Sequence, residues 1–331
     1  MQSLIDYGVA LIIALQRFGS GTIPVMKFFS QLGTEEFFFL VLPLIFWSVD
    51  SALGIRIGLI LVVSNFINFI GKVGMAGPRP YWASSHVQPL WPETSFGVPS
   101  GHAQHAMSVW GIIALYQKRT WVTVVCVFLI LMIGFSRLVL GAHFPHDVLL
   151  GWLLGGILLW AYSRYWDVAV NWLAGKSFNQ QVGISFLTAM VMVIIGMIVT
   201  GLRSGYQVPE TWMTNALLSG IAPEPVDPSA TFTSAGTFFG LAVGAAWTHF
   251  RGGYSADGPA WKRALRYGVG LIGVILFWQV LGAVFPRGDG ALVYSLRFLR
   301  YTLVGWWVSG GAPWVFQHFN LATPASRISS I

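Results

Sequence analysis

The stretch TWVTVVCVFLILMIGFSRLVLGAHFPHDVLLGWLLGGILLW, residues 120–160, decides the fold of this chain. Two apolar runs, at 120–140 and 146–165, meet at a short segment around Arg137, His143 and Asp147. Each run has about 20 residues, the length that an α-helix needs to cross the hydrocarbon layer of a membrane. The pattern therefore predicts two membrane spans joined by a tight turn, with ionisable residues gathered where the spans meet.

The composition extends this prediction to the whole chain. Of the 331 residues, 55% are hydrophobic and 9% are charged, whereas a soluble domain carries about 25% charged residues. We expect an all-α, polytopic membrane helical bundle of about nine transmembrane helices. The predicted spans lie near residues 36–50, 53–71, 99–116, 120–140, 146–165, 182–202, 232–250, 263–284 and 290–310.

The net charge of +7 follows from the same organisation. Lysines and arginines occur one to three at a time between apolar runs, whereas a nucleic-acid surface needs them gathered on one patch. The chain is therefore expected to contact membrane lipids and no nucleic acid.

With nine spans, alternate connections fall on opposite faces of the membrane, and one face collects more cations. That face is predicted to be cytoplasmic by the positive-inside rule. We expect a multi-pass protein of the cell membrane. Its cytoplasmic cations are Arg56, Lys118, Arg119, Arg164, Lys176, Arg251, Lys262, Arg263, Arg266 and Arg327.

Three parts are expected along the chain. Residues 1–34 hold an apolar run too short to span, which predicts an interfacial or packed amphipathic helix. Residues 35–165 would form the catalytic transmembrane core, and 166–331 would add C-terminal helices of unassigned role. Within the latter, the small residues of 227–247 suit close helix packing or a homodimer contact.

Polar residues of the first half form three clusters. The first, GKVGMAGPRPYW at 71–82, contains Lys72 and Arg79. The second, PSGHAQHAMSVW at 99–110, begins a helix, and free N–H groups at a helix start bind anions. Ser100 and His102 lie there, and Gly101 lets another group approach the backbone.

The third cluster is the junction quoted above. Pro145 can begin the second helix, so that Asp147 lies in its first turn and reaches back towards His143. A carboxylate on one imidazole nitrogen fixes the tautomer and leaves the other nitrogen as nucleophile or base. His105 and His146 each lie three residues from a better-placed histidine and are expected to be structural.

All three clusters fall on the non-cytoplasmic face, which is periplasmic, extracellular or lumenal. Three cations, a helix start and two histidines suit the binding and transfer of a phosphate dianion. The sequence has no cluster with metal-ligand spacing and no P-loop. We therefore expect neither a metal nor another cofactor.

In order along the chain, the clusters match K-x6-R-P at 72–80, P-S-G-H at 99–102 and S-R-x5-H-x3-D at 136–147. Together they resemble the three-part signature of the type 2 phosphatidic acid phosphatase (PAP2) superfamily, which includes vanadium haloperoxidases and glucose-6-phosphatase. The resemblance covers roughly residues 36–165. The segments at 65–82 and 136–146 are particularly similar to the glucose-6-phosphatase branch, which carries an amide where this chain has Asp147.

The resemblance implies roles for eight residues. His143 would attack phosphorus and become a phosphohistidine, Asp147 would orient its ring, and His102 would protonate the leaving group. The phosphate oxygens would be held, without a metal, by Lys72, Arg79, Ser100, Gly101 and Arg137.

The expected substrate is a lipid phosphate drawn from the bilayer, because a site at the ends of spans can reach a headgroup while the acyl chains stay in the membrane. Phosphatidate, phosphatidylglycerol phosphate, polyprenyl diphosphate and sphingoid phosphates all remain open. One alternative is hydrolysis of a soluble sugar phosphate such as glucose 6-phosphate. A polytopic transporter is another, although the paired repeats typical of transporters are missing.

Overall fold

The computed structural model describes residues 2–17, 19 and 21–325, and these form helices and loops with no strand among them. Arg327, one of the predicted cytoplasmic cations, lies outside the described residues. The α-helices are α1 Gln2–Gln16, α2 Thr22–Gln31, α3 Glu35–Ser48, α4 Ser51–Met75, α5 Pro80–Ala83, α6 Gly101–Gln117, α7 Thr120–Val139, α8 Pro145–Ala174, α9 Phe178–Gly201, α10 Glu210–Leu217, α11 Ser229–Phe250, α12 Ala260–Ile275, α13 Leu281–Val284, α14 Ala291–Trp306 and α15 Ala312–His318. Two π-helical segments, Leu276–Val280 and Trp307–Gly311, continue α12 and α14.

A helix covers each of the nine apolar stretches predicted from the sequence. Among the described residues, five helical segments are long and apolar enough to cross a membrane, or six if α2 and α3 form one bent span. The five are Ser51–Ala83, Thr120–Val139, Pro145–Ala174, Phe178–Gly201 and Ala260–Val284. The chain is thus an all-helical, multi-pass membrane protein. The count of nine spans is not confirmed, because only these five segments, or six with the bent pair, are long and apolar enough among the described residues. α6, for example, has 17 residues, fewer than the roughly 20 that span a bilayer.

The helices group into two compact units that interleave along the chain. The first contains the described residues up to Phe37, Ile67–Ala161 and Gly196–Pro228. The second contains Phe38–Phe66, Tyr162–Ile195 and the described residues from Ser229 onward. All three polar clusters of the sequence belong to the first unit.

Close packing between α6 and α8 brings two helix starts together in the first unit. Ser100 caps α6, its Oγ accepting from the Ala103 N–H at 3.5 Å. Gly151 and Gly155 face the α6 backbone, and a Cβ on either would lie 2.6 Å from the carbonyl oxygen of Ser100 or Gln104. Only glycine permits this approach, which sets the first turn of α8 beside the first turn of α6.

The turn between α7 and α8 has the shape that its sequence predicts. Gly141 has φ +68°, and a Cβ there would lie 2.6 Å from the carbonyl oxygen of Gln88. Pro145 is the first residue of α8, so Asp147 lies in its first turn. The chain thereby reverses within five residues, at 140–144, and holds His143 between the two helices.

The short helix α1 is packed into the first unit. Ile12 is fully buried in a cluster with Tyr81, Trp82, Phe96 and Phe144. The helix α1 is thus packed against the rest of the unit, and an interfacial position for residues 1–34 stays a prediction. The boundaries predicted at 34 and 165 stay predictions.

In the second unit, the small residues of α11 face α14. A Cβ on Gly236 or Gly240 would lie 2.4 Å from the Phe298 carbonyl oxygen or 2.1 Å from that of Thr302. The small-residue segment therefore serves close helix packing within the chain. The homodimer stays a prediction.

Arg266, expected to be a topological cation, has a structural role in the same unit. Its side chain is fully buried and donates to Tyr254 Oη at 3.1 Å and to the carbonyl oxygens of Ser255, Ala256 and Asp257 at 2.8–3.1 Å. Paired in this way, the guanidinium holds the loop before α12.

Candidate active site

The eight residues predicted from the sequence lie in the first unit, at the ends of α4 and α7, directly before α5, at the start of α6, and in the turn before α8 and its first turn. Five of their side chains are fully buried, Lys72 is 9% exposed, and the side chain of His102 is 14% exposed. The five are Arg79, Ser100, Arg137, His143 and Asp147.

Arg79 joins several parts of the site. Its Nε donates to the Ser95 carbonyl oxygen at 2.7 Å, and its Nη1 donates to that of Ala142 at 3.0 Å. The same Nη1 lies 3.3 Å from His143 Nε2, and Nη2 donates to Glu93 Oε2 at 2.6 Å. Arg79 thus places a fixed positive charge directly beside one ring nitrogen of His143.

Lys72 contacts the same loop as Arg79. Its Nζ donates to Ser95 Oγ at 3.0 Å and to the Phe96 carbonyl oxygen at 2.7 Å. Arg79 Nη2 also donates to Ser95 Oγ, at 3.0 Å. Ser95, which the sequence pattern does not single out, therefore bridges the two cations of the first cluster.

Arg137 is held from α2 and from the loop before α6. Its Nη1 donates to Ser30 Oγ and its Nη2 to Glu93 Oε1. The Trp91 ring lies over the guanidinium, with 5.4 Å between the Arg137 Cζ and the ring centroid. Ser30 is fully buried on α2, so the N-terminal helices contribute to the site.

Glu93 was missed as a site residue by the sequence reasoning. One of its carboxylate oxygens contacts Arg79 and the other contacts Arg137. Burial alone would raise the pKa of this carboxyl, but the charges of Arg79 and Arg137 hold it well below its usual range. The sequence contains a hint, because Glu93 is the only acidic residue between Lys72 and His102.

His143 and Asp147 lie side by side, both fully buried. Asp147 Oδ2 is 3.4 Å from His143 Nδ1 and accepts from the Phe144 N–H at 2.9 Å. Its Oδ1 is 3.2 Å from His146 Nε2. Within the described part of the chain, neither His143 Nδ1 nor Asp147 Oδ1 has an aligned hydrogen bond, so the carboxylate and the two imidazoles are in close contact without hydrogen-bond geometry. His143 Nε2 is left facing Arg79.

The protonation state of His143 follows from its surroundings. Burial, and then the charge of Arg79, lowers the pKa of this imidazole well below its ordinary value. At neutral pH the ring is uncharged, so one nitrogen keeps a lone pair. The arrangement suits a nucleophile.

His102 lies in the first turn of α6, at the partly exposed edge of the site. Its Nδ1 is 4.0 Å from Glu93 Oε1, and its ring packs edge-on against Trp91 with 6.2 Å between the centroids. Its Nε2 has no hydrogen-bond partner among the residues described. His102 can therefore exchange a proton through this buried nitrogen with a group bound in the site.

The remaining two predicted residues lie at the same helix start. The Ser100 N–H donates to the Asp147 carbonyl oxygen at 3.0 Å, which ties α6 to α8. A Cβ on Gly101 would lie 3.1 Å from Asn68 Oδ1. The Asn68 amide donates to Gln104 Oε1 at 3.0 Å, so Gly101 makes room for a polar contact between α4 and α6.

Among the described residues, no group of three or more His, Cys, Asp or Glu is arranged to hold a metal ion. The site consists of buried cations and histidines around one position. Such a set suits the charge of a tetrahedral oxyanion.

Comparison with known families agrees with this geometry. The model of the PAP2 superfamily matches residues 53–171, and the model of the PAP2 superfamily phosphatase transmembrane extension matches residues 232–324. The chain belongs to the PAP2 superfamily. It is a membrane phosphatase of that superfamily, and the first match contains all eight residues predicted for the site.

Relatives of known activity include glucose-6-phosphatases over nearly the whole chain. Glucose-6-phosphatase 3 of Bos taurus is 26% identical over 97% of both chains. Glucose-6-phosphatase 2 of Homo sapiens is 29% identical over 46% of this chain and 51% of its own. An undecaprenyl-diphosphatase of Sulfolobus acidocaldarius is 29% identical over 40% of this chain and 64% of its own. No solved structure matches the chain.

Proposed function

We propose that this phosphatase hydrolyses a phosphate monoester or diphosphate through a phosphohistidine formed on His143, without a metal ion. One observation supports the proposal above all. Nε2 of His143 lies 3.3 Å from Arg79 Nη1, while Nδ1 faces Asp147 at 3.4 Å. A phosphoryl group held by the arginine is thereby brought to the ring nitrogen that the carboxylate leaves free.

In the first step, the lone pair of His143 Nε2 attacks phosphorus, and the bond from phosphorus to the leaving oxygen breaks. Arg79, Arg137 and Lys72 stabilise the equatorial oxygens, with Ser100 and the N–H of Gly101 as further donors at the α6 start. The negative charge of Asp147 offsets the positive charge that develops on the imidazole. The product is a phosphohistidine.

His102 serves as the acid and then as the base. His102 takes up a proton as the negatively charged phosphate binds beside it and gives this proton to the leaving oxygen in the first step. In the second step it takes a proton from a water molecule that attacks phosphorus, and the bond between His143 Nε2 and phosphorus breaks. The ring of His102, with one nitrogen near Glu93 and the other without a partner among the described residues, suits both steps.

For the substrate, we propose first a lipid phosphate at the non-cytoplasmic face of the cell membrane. An apolar groove of about 410 Å³ supports this choice, and its lining comes from α6 and α8, the helices whose first turns contain His102 and Asp147. The groove residues are Met107, Trp152, Leu153, Gly156, Ile157 and Trp160. An acyl or polyprenyl chain could lie along it while the headgroup phosphate reaches His143.

A soluble sugar phosphate is the second candidate, and the relatives favour it. The glucose-6-phosphatase similarity extends over 97% of the chain, whereas the undecaprenyl-diphosphatase similarity covers 40%. Asp147 distinguishes the chain from the glucose-6-phosphatase branch, which carries an amide at this position of the signature.

Phosphate release by the purified full-length protein separates the two candidates. The assay compares phosphatidate, phosphatidylglycerol phosphate, polyprenyl diphosphate and sphingoid phosphates in micelles with glucose 6-phosphate. Activity restricted to glucose 6-phosphate would refute the lipid proposal. His143→Ala should abolish turnover, whereas His86→Ala, which removes an exposed histidine of the same unit, is the matched control and should leave it unchanged.

A further inference from the structure

The carboxylate of Glu93 lies between the guanidinium groups of Arg79 and Arg137. Its Oε2 accepts from Arg79 Nη2 at 2.6 Å, and its Oε1 accepts from Arg137 Nη2. Its two oxygens thus bridge two guanidinium groups, which is also how two oxygens of a phosphate are held by a pair of arginines.

Most of the remaining donor atoms of the two arginines already contact the protein. Arg79 uses Nε and Nη1 on the carbonyl oxygens of Ser95 and Ala142, and Arg137 uses Nη1 on Ser30, while Arg137 Nε has no hydrogen-bond partner among the described residues. A substrate phosphate would therefore have to use the Nη2 groups that contact Glu93, together with Arg137 Nε. A phosphate and the Glu93 carboxylate would compete for the same N–H donors.

Charge balance explains why a carboxylate is placed there. The two arginines are fully buried and Lys72 contacts the same loop, so the empty site would otherwise concentrate uncompensated positive charge in a poorly solvated cavity. One ionised carboxylate offsets part of that charge. A phosphate dianion and an ionised Glu93 on the same donors would instead repel each other.

The local structure allows the side chain to leave while the backbone stays. The Tyr81 hydroxyl donates to the Glu93 carbonyl oxygen and accepts from the Glu93 N–H, both at 2.9 Å. Tyr81 is itself buried, at 2% exposure. The Glu93 side chain is 24% exposed, so rotation about its own bonds can carry the carboxylate away from the arginines and towards its exposed side.

We infer that Glu93 is an internal counter-ion of the phosphate site, which substrate displaces on binding and which returns when phosphate leaves. This role rests on the proposed function, because it assigns the Arg79 and Arg137 edges to phosphate. Glu93 is in this account a positioning residue that sets the affinity of the site. Its carboxylate weakens the binding of inorganic phosphate and so favours product release.

The test is direct binding of radiolabelled inorganic phosphate to purified full-length protein in detergent, by equilibrium dialysis. Glu93→Gln keeps the size of the side chain and removes its charge. We expect its dissociation constant for phosphate to fall at least about fivefold below that of the wild type, the lower end of usual coupling between competing groups. Glu224→Gln removes an exposed carboxylate of the same unit and should bind phosphate as the wild type does.

An unchanged or weaker affinity in Glu93→Gln would overturn the inference, because the carboxylate would then be needed to hold the arginines in place. Glu93→Asp is the second variant should Glu93→Gln fail to fold. Its carboxylate is one methylene shorter and cannot contact both guanidinium groups equally, so it should shift the dissociation constant in the same direction by a smaller factor. Unchanged affinity in that variant would overturn the inference as well.

Binding and catalysis can be separated in this experiment. Phosphate binding is measured without turnover, so a site that binds phosphate but fails to form a phosphohistidine would contradict the proposed function and leave the Glu93 result interpretable. Inhibition by phosphate of the active wild type and of Glu93→Gln gives a second readout. The variant should be inhibited at lower phosphate concentration, whereas equal inhibition would speak against displacement.

Discussion

Replacing Asp147 with asparagine removes a charge and preserves most of the local geometry. Asp147 Oδ2 accepts from the Phe144 N–H at 2.9 Å and lies 3.4 Å from His143 Nδ1. An asparagine side-chain oxygen in the same position can make both contacts. The variant therefore tests how much the negative charge contributes to the stability of the developing imidazolium.

The size of the effect follows from the distance. Unit charges 3.4 Å apart interact by about 5 kcal/mol at an effective dielectric constant of about 20. If about half of the imidazolium charge has developed in the transition state, the loss is about 2 to 3 kcal/mol, or about 30- to 160-fold in rate. Removal of the nucleophile in His143→Ala should cost about four orders of magnitude or more.

The assay is single-turnover formation of the phosphoenzyme by wild type, Asp147→Asn and His143→Ala. A rate for Asp147→Asn within about threefold of the wild type would refute the charge argument. A loss as large as that of His143→Ala would show that Asp147 does more than orient the ring and offset its charge.

Three further predictions concern phosphate binding by Arg79, the protonation of His143 and the packing of α11. Arg79→Lys should lower kcat/KM by about 100-fold or more in steady-state assays, because one ammonium cannot replace the separate contacts to Ser95, Ala142 and Glu93. A kcat/KM near that of the wild type would contradict the role of Arg79 in phosphate binding. The folded-state pKa of His143 is depressed, so the unfolded chain binds the extra proton below about pH 6.5 and stability falls as the pH drops. The free energy of unfolding should fall by up to about 1.4 kcal/mol per pH unit between pH 6.5 and 5, and this slope should be smaller in His143→Gln. Identical slopes for the wild type and the variant in denaturant unfolding would rule this out. Gly240→Ala should lower the melting temperature, because its Cβ would meet the Thr302 carbonyl oxygen at 2.1 Å and such overpacking costs about 1–3 kcal/mol, whereas Gly268→Ala, which faces open space in α12, should not.

Local sequence patterns predicted the features that depend on neighbours along the chain. Ser100 caps α6, Pro145 begins α8, and Asp147 reaches back to His143 because four residues make about one helical turn. Apolar runs of about 20 residues likewise located the helices. They could not count the spans, because a helix such as the 17-residue α6 forms without reaching the length of a span.

Long-range contacts were beyond those patterns. Ser30 is separated from Arg137 by 107 positions, and nothing near either residue indicates that they meet. Glu93 lies in a loop, whose path depends on contacts such as the one with Tyr81. Arg266 was predicted only as a cation of the cytoplasmic face, because its carbonyl partners are brought to it by the folded loop before α12.

The central claim is that the phosphoryl group passes through His143, and the most direct test is to trap and map the intermediate. Wild-type protein mixed with labelled substrate and quenched rapidly should carry an acid-labile, base-stable phosphoryl group that mass spectrometry locates on His143. His143→Ala should carry none, while His86→Ala should label as the wild type does. Phosphorylation of a different residue, or full turnover by His143→Ala, would contradict the account.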